Sequence, residues 1–468
     1  MRLIAPLLLV TALTGCTVGP DYHRPQIALT PHFATPGITA PSDDTAWWHA
    51  FQDPLLDRIV DQALAQNLDI AAAAARVDQA RGAAQAAGAA LLPHVDGTAG
   101  AEKQSQSLQT PFGAASSKLG FPRDYALYQM GAEAGWEIDL FGGLRRGREA
   151  ARASFAGARD DADAVRLSIA AETVDAYLQL RGLQARLAIA ERQLDTERQL
   201  TGLVRQRVDQ GIAPDRELNR TLGEQQGLDA ALAPLRAAIA GQMNRIDILT
   251  GQQAGTLRAE LTPAAAIPLA PDPAGSVEPS ALLRRRPDIA SAERQVAATN
   301  AQIGVAIAEH YPHLSLGGLL GVASVGTAGL FGGNAVQAGA TAGLRWRLFD
   351  FGRVDAEVKQ ARGREAEALA RYRLSVLRAT EEVETALSQL NEGRTEIAAR
   401  ERQVAALTTA RDQARIAYQG GVIALIDVLD ADRALLDASD RLADARAQTA
   451  RASVAAVRAL GGGWEERS

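Results

Sequence analysis

The sequence predicts a mainly α-helical chain with four transmembrane-type β-strands, built from one helix–hairpin–helix–helix unit written twice. Three observations carry this reading. Gly135-Trp136-Glu137-Ile138-Asp139-Leu140-Phe141-Gly142 recurs as Arg345-Trp346-Arg347-Leu348-Phe349-Asp350-Phe351-Gly352, with Trp, Phe and Gly each displaced by 210 positions. Ahead of each landmark, apolar side chains alternate with polar ones or glycine, the period of a strand with one dry and one wet face. No proline interrupts Leu144 to Gln210 or Val354 to Gln419. A helix of that length reaches roughly 100 Å at 1.5 Å per residue, more than a compact domain needs.

Taken in order, the chain opens on Met1 and Arg2, then runs apolar from Leu3 to Leu13 apart from Thr11. This reads as a secretory signal over residues 1–15, too short to span a bilayer. It closes on Leu13-Thr14-Gly15-Cys16, which resembles the lipobox of bacterial lipoproteins. The resemblance implies that Cys16 carries S-diacylglycerol and N-acyl lipid as the first mature residue. Thr17, in place of an inner-membrane-retaining Asp, favours the outer membrane.

Cys16 is the only cysteine in the 468 residues, which excludes an internal disulfide, a thiolate metal cluster and a cysteine nucleophile. No cofactor other than the lipid is expected. Loss of residues 1–15 removes one charge, that of Arg2, and moves the formal net charge from -6 to -7. An acidic chain argues against nucleic acid as a partner. Hydrophobic residues make up 47% of the chain but aromatics only 4%. Alanine carries much of that apolar count, a composition suited to long helices packed closely.

Residues 16–46 form a tail spaced by prolines from Pro20 to Pro41. The first repeat spans 47–250, with strands over about 93–141 and helices over about 144–249. In its second strand Tyr128, Met130, Ala132, Ala134, Trp136, Ile138 and Leu140 alternate with Gln129, Gly131, Glu133, Gly135, Glu137 and Asp139. The second repeat, 281–460, places strands at about 312–350 and helices at about 354–459. There Ala338, Ala340, Ala342, Leu344, Trp346 and Leu348 line up in the same way. Leu92-Pro93-His94 matches Tyr311-Pro312-His313 at a displacement of 219, so the first repeat holds nine additional residues between its landmarks. A linker over 251–280 carries Pro263, Pro268, Pro271, Pro273 and Pro279, and 461–468 is a tail.

Val383, Leu390, Ile397 and Val404 repeat every seven residues, the spacing of a coiled coil. Glu191, Arg192, Glu197 and Arg198 read as solvated surface, as do Glu381, Glu382 and Glu384. Turns at Gly211-Ile212-Ala213-Pro214 and Gly420-Gly421 return the chain as a second helix. Four strands cannot close a barrel, whose known sizes start at about eight, and lipid does not tolerate open edges. The chain must therefore oligomerise.

Several further segments resemble the TolC-like outer membrane factors, in particular the lipoprotein branch serving resistance-nodulation-division efflux pumps. They are Gly19-Pro20-Asp21-Tyr22-His23-Arg24-Pro25, Trp47-Trp48 with Phe51 and Asp53-Pro54-Leu55, Ala63-Leu64-Ala65-Gln66-Asn67, and Arg284-Arg285-Arg286-Pro287-Asp288-Ile289 with Ala292-Glu293. The resemblance implies a homotrimer. Four strands per chain would make a twelve-stranded outer-membrane barrel, continued by a long periplasmic α-helical barrel. It also implies partners: a periplasmic adaptor protein, an inner-membrane pump and outer-membrane lipid. The expected function is a passive exit duct and not an enzyme. A type I protein-secretion channel and a periplasmic coiled-coil adaptor are the alternatives; the adaptor leaves the alternating hairpins unexplained.

The candidate site is the periplasmic turn, Tyr418 to Asp430. Asp427 and Asp430 stand three apart, hence on one face of a helix. Two readings stay open: carboxylates favoured by the positive end of a helix dipole, or, in a trimer, rings that narrow a pore and attract cations. The resemblance favours the second. It makes Glu217 the first repeat's counterpart and Tyr418 an aromatic latch. Ile423 stands where some relatives place an arginine that ties the aperture shut, so closure is expected from Ile423 and Ile426 with the aspartate rings. His310 and His313 flank the corner at Pro312 without the ligand cluster a metal needs. No Ser-His-Asp spacing or phosphate-cradling glycine loop occurs.

Overall fold

The computed structural model of the chain describes residues 17–35, 46–268, 280 and 285–462. Cys16, the signal segment, residues 36–45 of the tail, residues 269–279 of the proline linker, residues 281–284 and the last six residues lie outside these. The described residues fall into two units.

The first unit, made of described residues of 1–25, 78–157 and 293–371, holds the sheet. Strands β1 (His94–Ser105), β2 (Asp124–Ile138), β3 (His313–Ser324) and β4 (Val336–Arg345) pair antiparallel in chain order. The two hairpins share one register: His94 faces Gly135 as His313 faces Arg345, at the displacements of 219 and 210. Val95 faces Ala134, Trp136 faces Leu316, and Leu316 faces Ala342. The alternation therefore adds across strands into one continuous apolar face, and the opposite face carries Asp96, Glu133, Glu137 and Thr341.

The apolar face is open: Val95, Leu320, Val336 and Leu344 are all exposed. Ladder edges β1 and β4 are exposed nearly throughout. The sequence alternation overshoots at one end, since β4 stops at Arg345 and leaves Trp346 and Leu348 beyond it. Trp346 instead caps the preceding helix, its Nε1 donating to the His310 carbonyl at 3.0 Å, as Trp136 Nε1 donates to Leu91 at 3.0 Å. Part of the first repeat's additional length is a short helix, α3 (Pro111–Lys118), in the β1–β2 loop.

After the strands the tail is strapped down. Val18 N–H donates to the Phe141 carbonyl at 3.0 Å. Buried Arg146 donates to the carbonyls of Val18 and Gly19 and to Asp21. Burial disfavours its charge, yet its hydrogen bonds to the carboxylates of Asp21 and Glu149 hold its pKa above the ordinary arginine value.

The second unit, made of described residues of 26–77, 158–292 and 372–468, is helical. Duplication is visible in the element bounds. Helices α2 (Leu68–Ala89) and α7 (Pro287–Ala308) are each 22 residues long and α4 (Gly143–Asp209) and α8 (Arg353–Gln419) each 67, all four with residues in both units, while α5 (Asp215–Leu249) and α9 (Leu425–Ala459), wholly in the second, are each 35. The first pair starts 219 apart and the other two 210 apart.

A core forms where Trp47, Trp48 and Phe51 meet α1 (Pro54–Gln66) and the middle of α4 around Tyr177 and Leu180. Asp53 caps α1 by accepting from Leu55 and Leu56 N–H, and also accepts from Tyr177 Oη at 2.6 Å. Fully buried Arg181 donates to Tyr177 Oη, Gln184 and the Pro263 carbonyl.

Small residues let α9 approach both neighbours. A Cβ on Gly182 would lie 2.5 Å from Cβ of Ala447, and one on Gly393 would lie 2.5 Å from Oγ1 of Thr449. That is the physical use of the alanine-rich composition. One surface expectation needs correction. Glu197 is buried, with its side chain only 2% exposed, because Arg433 neutralises it. Glu382 pairs with buried Arg286 at 2.8 Å, and Glu384 accepts from Ala34 and Thr35 N–H of the tail.

Candidate functional site at the helix turns

Both long helices end in the same way. Ile212 N–H donates to the Arg207 carbonyl and Gly211 N–H to Val208. Val422 N–H donates to Ala417 and Gly421 N–H to Tyr418. These are the paired 6→1 and 5→2 bonds of a Schellman motif, which needs a left-handed residue after the helix. Gly211 (φ 72°) and Gly421 (φ 74°) supply it. The residue after each glycine is apolar and open to solvent: Ile212 is 62% and Val422 79% exposed.

Asp427 sits at the third position of α9 and folds back to accept from Ala424 N–H at 3.0 Å, half of a capping box. Glu217 holds the same place in α5, and its own N–H donates to the Pro214 carbonyl. Asp430 is exposed and pairs with Arg433 at 3.5 Å. Tyr418 lies in the last turn of α8 and is 40% exposed. Ile423 is half-buried in the turn. Ile426 points elsewhere: with Leu425 it packs on the cluster of Leu200, Val204 and Leu429. It serves the cohesion of its own chain.

The sequence reading missed the group that draws these parts together. Arg433 bonds to Glu197 of α4, approaches Glu224 of α5 at 3.2 Å and pairs with Asp430 on α9. Three helices meet on one guanidinium. Burial opposes its charge, but Glu197, Glu224 and Asp430 outweigh that and raise its pKa. A signal existed: Glu197 lies three residues after Leu194, on the apolar heptad, and the residue 210 later is Leu407. A charge in that row requires a partner.

The histidines at the strand corner each lie beside a carboxylate. His313 Nδ1 lies 2.7 Å from Glu137, and His310 Nε2 lies 3.5 Å from Asp355. Among the described residues no group of three His, Cys, Asp or Glu side chains could hold a metal.

The chain matches the family model "Outer membrane efflux protein" over residues 59–252 and 279–462. It is 32% identical over 443 residues to the pyoverdine export outer membrane protein OpmQ of Pseudomonas putida, covering 91% of this chain and 89% of that one. It is 30% identical to nodulation protein T of Rhizobium leguminosarum bv. trifolii, covering 97% and 95%. Among solved structures, the outer-membrane channel OprN superposes with a TM-score of 0.84 at 33% identity, covering 96% and 100%.

Proposed function

The chain belongs to the outer membrane efflux protein family and is an outer-membrane exit duct; within that role we propose that it works as a homotrimer whose helix turns form the periplasmic gate. The observation that carries the trimer is the sheet, which has four strands, two bare edges and one exposed apolar face. A four-stranded sheet cannot stand in lipid with open edges. Three copies supply twelve strands, and the apolar face then meets lipid while the polar face lines water.

At the helix turns, Asp430 and Asp427 narrow the pore as rings of carboxylate, with Tyr418 latching neighbouring helices. Ile423, Val422 and Ile212 supply apolar contact at the mouth. Arg433, in the third turn of α9, ties α4 and α5 to α9 within one chain. The partners are a periplasmic adaptor, which meets the turns, and an inner-membrane pump of the resistance-nodulation-division class, which supplies the cargo and the energy. Cys16 carries the diacylglycerol and N-acyl anchor.

Planar-bilayer recording tests the gate. Asp427→Ala with Asp430→Ala is expected to raise single-channel conductance and weaken cation selectivity; unchanged values refute the carboxylate rings. Trimer formation is tested separately by extraction in detergent, where the assembly should migrate as a large species until boiled.

A further inference from the structure

The register of the sheet brings charged side chains together inside the first unit, where α7 passes into β3. Glu137 faces Ser315 across the β2–β3 ladder. His313, two residues before Ser315, is therefore its diagonal neighbour on the polar face, within reach of a long side chain. His313 Nδ1 lies 2.7 Å from Glu137 Oε1. Four residues before the histidine, Glu309 leaves the end of α7 and brings its Oε2 to 3.7 Å from His313 Nε2. One imidazole thus stands between two carboxylates carried by different elements.

The second of these contacts is incomplete. Neither Glu309 Oε2 nor His313 Nε2 has a hydrogen-bond partner, although both atoms are shut off from solvent. Arg347 approaches Glu309 Oε2 at 2.9 Å as an ion pair without supplying that bond. In a neutral imidazole one nitrogen donates and the other accepts. With Nδ1–H given to Glu137, Nε2 turns a lone pair toward a carboxylate oxygen, and no hydrogen lies between the two acceptors. Buried polar atoms left in this state are costly. A single proton satisfies both.

We propose that His313 is a proton-operated clasp: on taking a proton at Nε2 it donates to Glu309 while still donating to Glu137, and so ties β2, β3 and the end of α7 together. The proton comes from water, and no other bond changes. A cavity of about 170 Å³ lined in part by Glu137, Glu309, His313 and Arg345 lies beside the cluster. Arg345 faces His313 from the end of β4. The other charges at the corner are held elsewhere. Glu357 of α8 pairs with Arg347 at 3.5 Å and with Arg353 at 3.1 Å. Asp139 beyond β2 pairs with Arg145 at 3.1 Å, and Asp355 of α8 lies 3.5 Å from His310.

The fold by itself does not require this clasp, because the duplication does not repeat it. The counterpart of His313 is His94, but 219 positions before Glu309 stands Ala90, and 210 positions after Glu137 stands Arg347. His94 is left with its side chain 70% exposed. The clasp lies within one chain, so it stands or falls independently of assembly. Histidines titrate between about pH 5 and 8. The closed form is present below that range and is lost as pH rises through it. An outer-membrane duct shares the pH of the medium it empties into, and acid in that medium stiffens the corner.

Amide exchange over the α7–β3 turn, corrected for its intrinsic pH dependence, tests this on the whole protein in detergent. The N–H groups of Glu309, His310 and Tyr311 bond back to Ala306, Ile307 and Ala308. Their protection should be about tenfold greater at the acid end of the histidine range than at the alkaline end, the scale of one charge-assisted hydrogen bond. Exchange of the His313 C2 hydrogen, read by mass spectrometry, follows its protonation directly and should share the midpoint of that step. Glu309→Gln offers an amide N–H to the neutral Nε2 and should keep the high protection throughout; His313→Gln should show the low value throughout. His310→Gln should retain the step, since its partner Asp355 is outside the clasp. Absence of the step in the unaltered protein, a midpoint different from that of His313, a step that survives either Glu309→Gln or His313→Gln, or one lost in His310→Gln overturns the proposal. The first two readings need no variant and decide the matter if a substitution prevents folding.

Discussion

Arg433→Met removes the cation shared by three helices, and the structure sets the size of the effect. Glu197 is almost wholly buried, and its Oε1 has no hydrogen-bond partner. Without Arg433 it would be an uncompensated charge. Breaking a buried pair costs about 3–5 kcal/mol, whereas an exposed pair contributes about 0–1 kcal/mol. Arg433 is 37% exposed, so water would rescue part of the loss, and a cost of about 2 kcal/mol follows from these bounds.

At 1.4 kcal/mol per factor of ten, that cost makes amide exchange in the turns flanking Glu197 and Arg433 about 30-fold faster. The second arm adds Glu197→Leu, which writes the second repeat's residue into the first. Replacing a buried ion pair by apolar groups of similar size is often neutral, so the double variant should recover to within about 1 kcal/mol of the original. Exchange that changes less than threefold in Arg433→Met, or a double variant worse than either single, would refute the hub.

Three other outcomes follow from the packing. Gly182→Val drives a branched side chain into Ala447, where even a Cβ would lie at 2.5 Å; overpacking of this kind costs about 1–3 kcal/mol, read as a lower urea midpoint of trimer dissociation. Arg286→Met unpairs Asp288 and Glu382, both part-exposed, and leaves the Ala459 carbonyl without its donor; because water can solvate both carboxylates, a loss of about 1–2 kcal/mol is expected, with exchange rising first at the end of α9. Asp350 caps α8 by accepting from Val354 and Gly352 N–H, and the Val354 bond chiefly lowers its pKa. A carboxylate whose folded pKa is depressed stabilises above its unfolded value, near about 3.9, and loses that contribution as pH falls through the folded value. Protection of Val354 should therefore persist from neutral pH to below about pH 4 and then fall, while Asp350→Ala should lose it at every pH.

Much of the fold was legible because duplication checks itself. Trp136 and Trp346, or Pro93 and Pro312, mark equivalent places, and proline-free runs exposed the long helices. Strand ends were less legible: apolar alternation through Trp346 and Leu348 continues past Arg345, since a side-chain pattern does not reveal where ladder bonds stop. The ionic contacts of α9 were invisible for a different reason. Glu197 and Arg433 are 236 positions apart, and nothing local distinguishes a charge facing water from one facing a partner on another helix. At the turn, Asp427 and Asp430 share a face as their spacing requires, yet one is bound to its own backbone and the other to Arg433.

The places where the two repeats differ bear on how the helices can move. Within each repeat one ion pair is duplicated: Arg236 with Glu191 at 3.0 Å, and 210 positions on, Arg446 with Glu401 at 2.7 Å. Across the seam between repeats, α4 and α9 carry a ladder found once: Asp175 with Arg451 at 2.7 Å, Arg186 with Asp440 at 2.9 Å, and Glu197 with Arg433. At the positions 210 further on from Asp175, Arg186 and Glu197 stand Thr385, Glu396 and Leu407. Part-exposed pairs are screened once the Debye length shortens, to about 3 Å in 1 M salt. Raising salt should therefore speed exchange beside Arg186 and Arg451 more than beside Thr385 and Leu407; equal loosening would mean that the ladder does not hold the seam it spans.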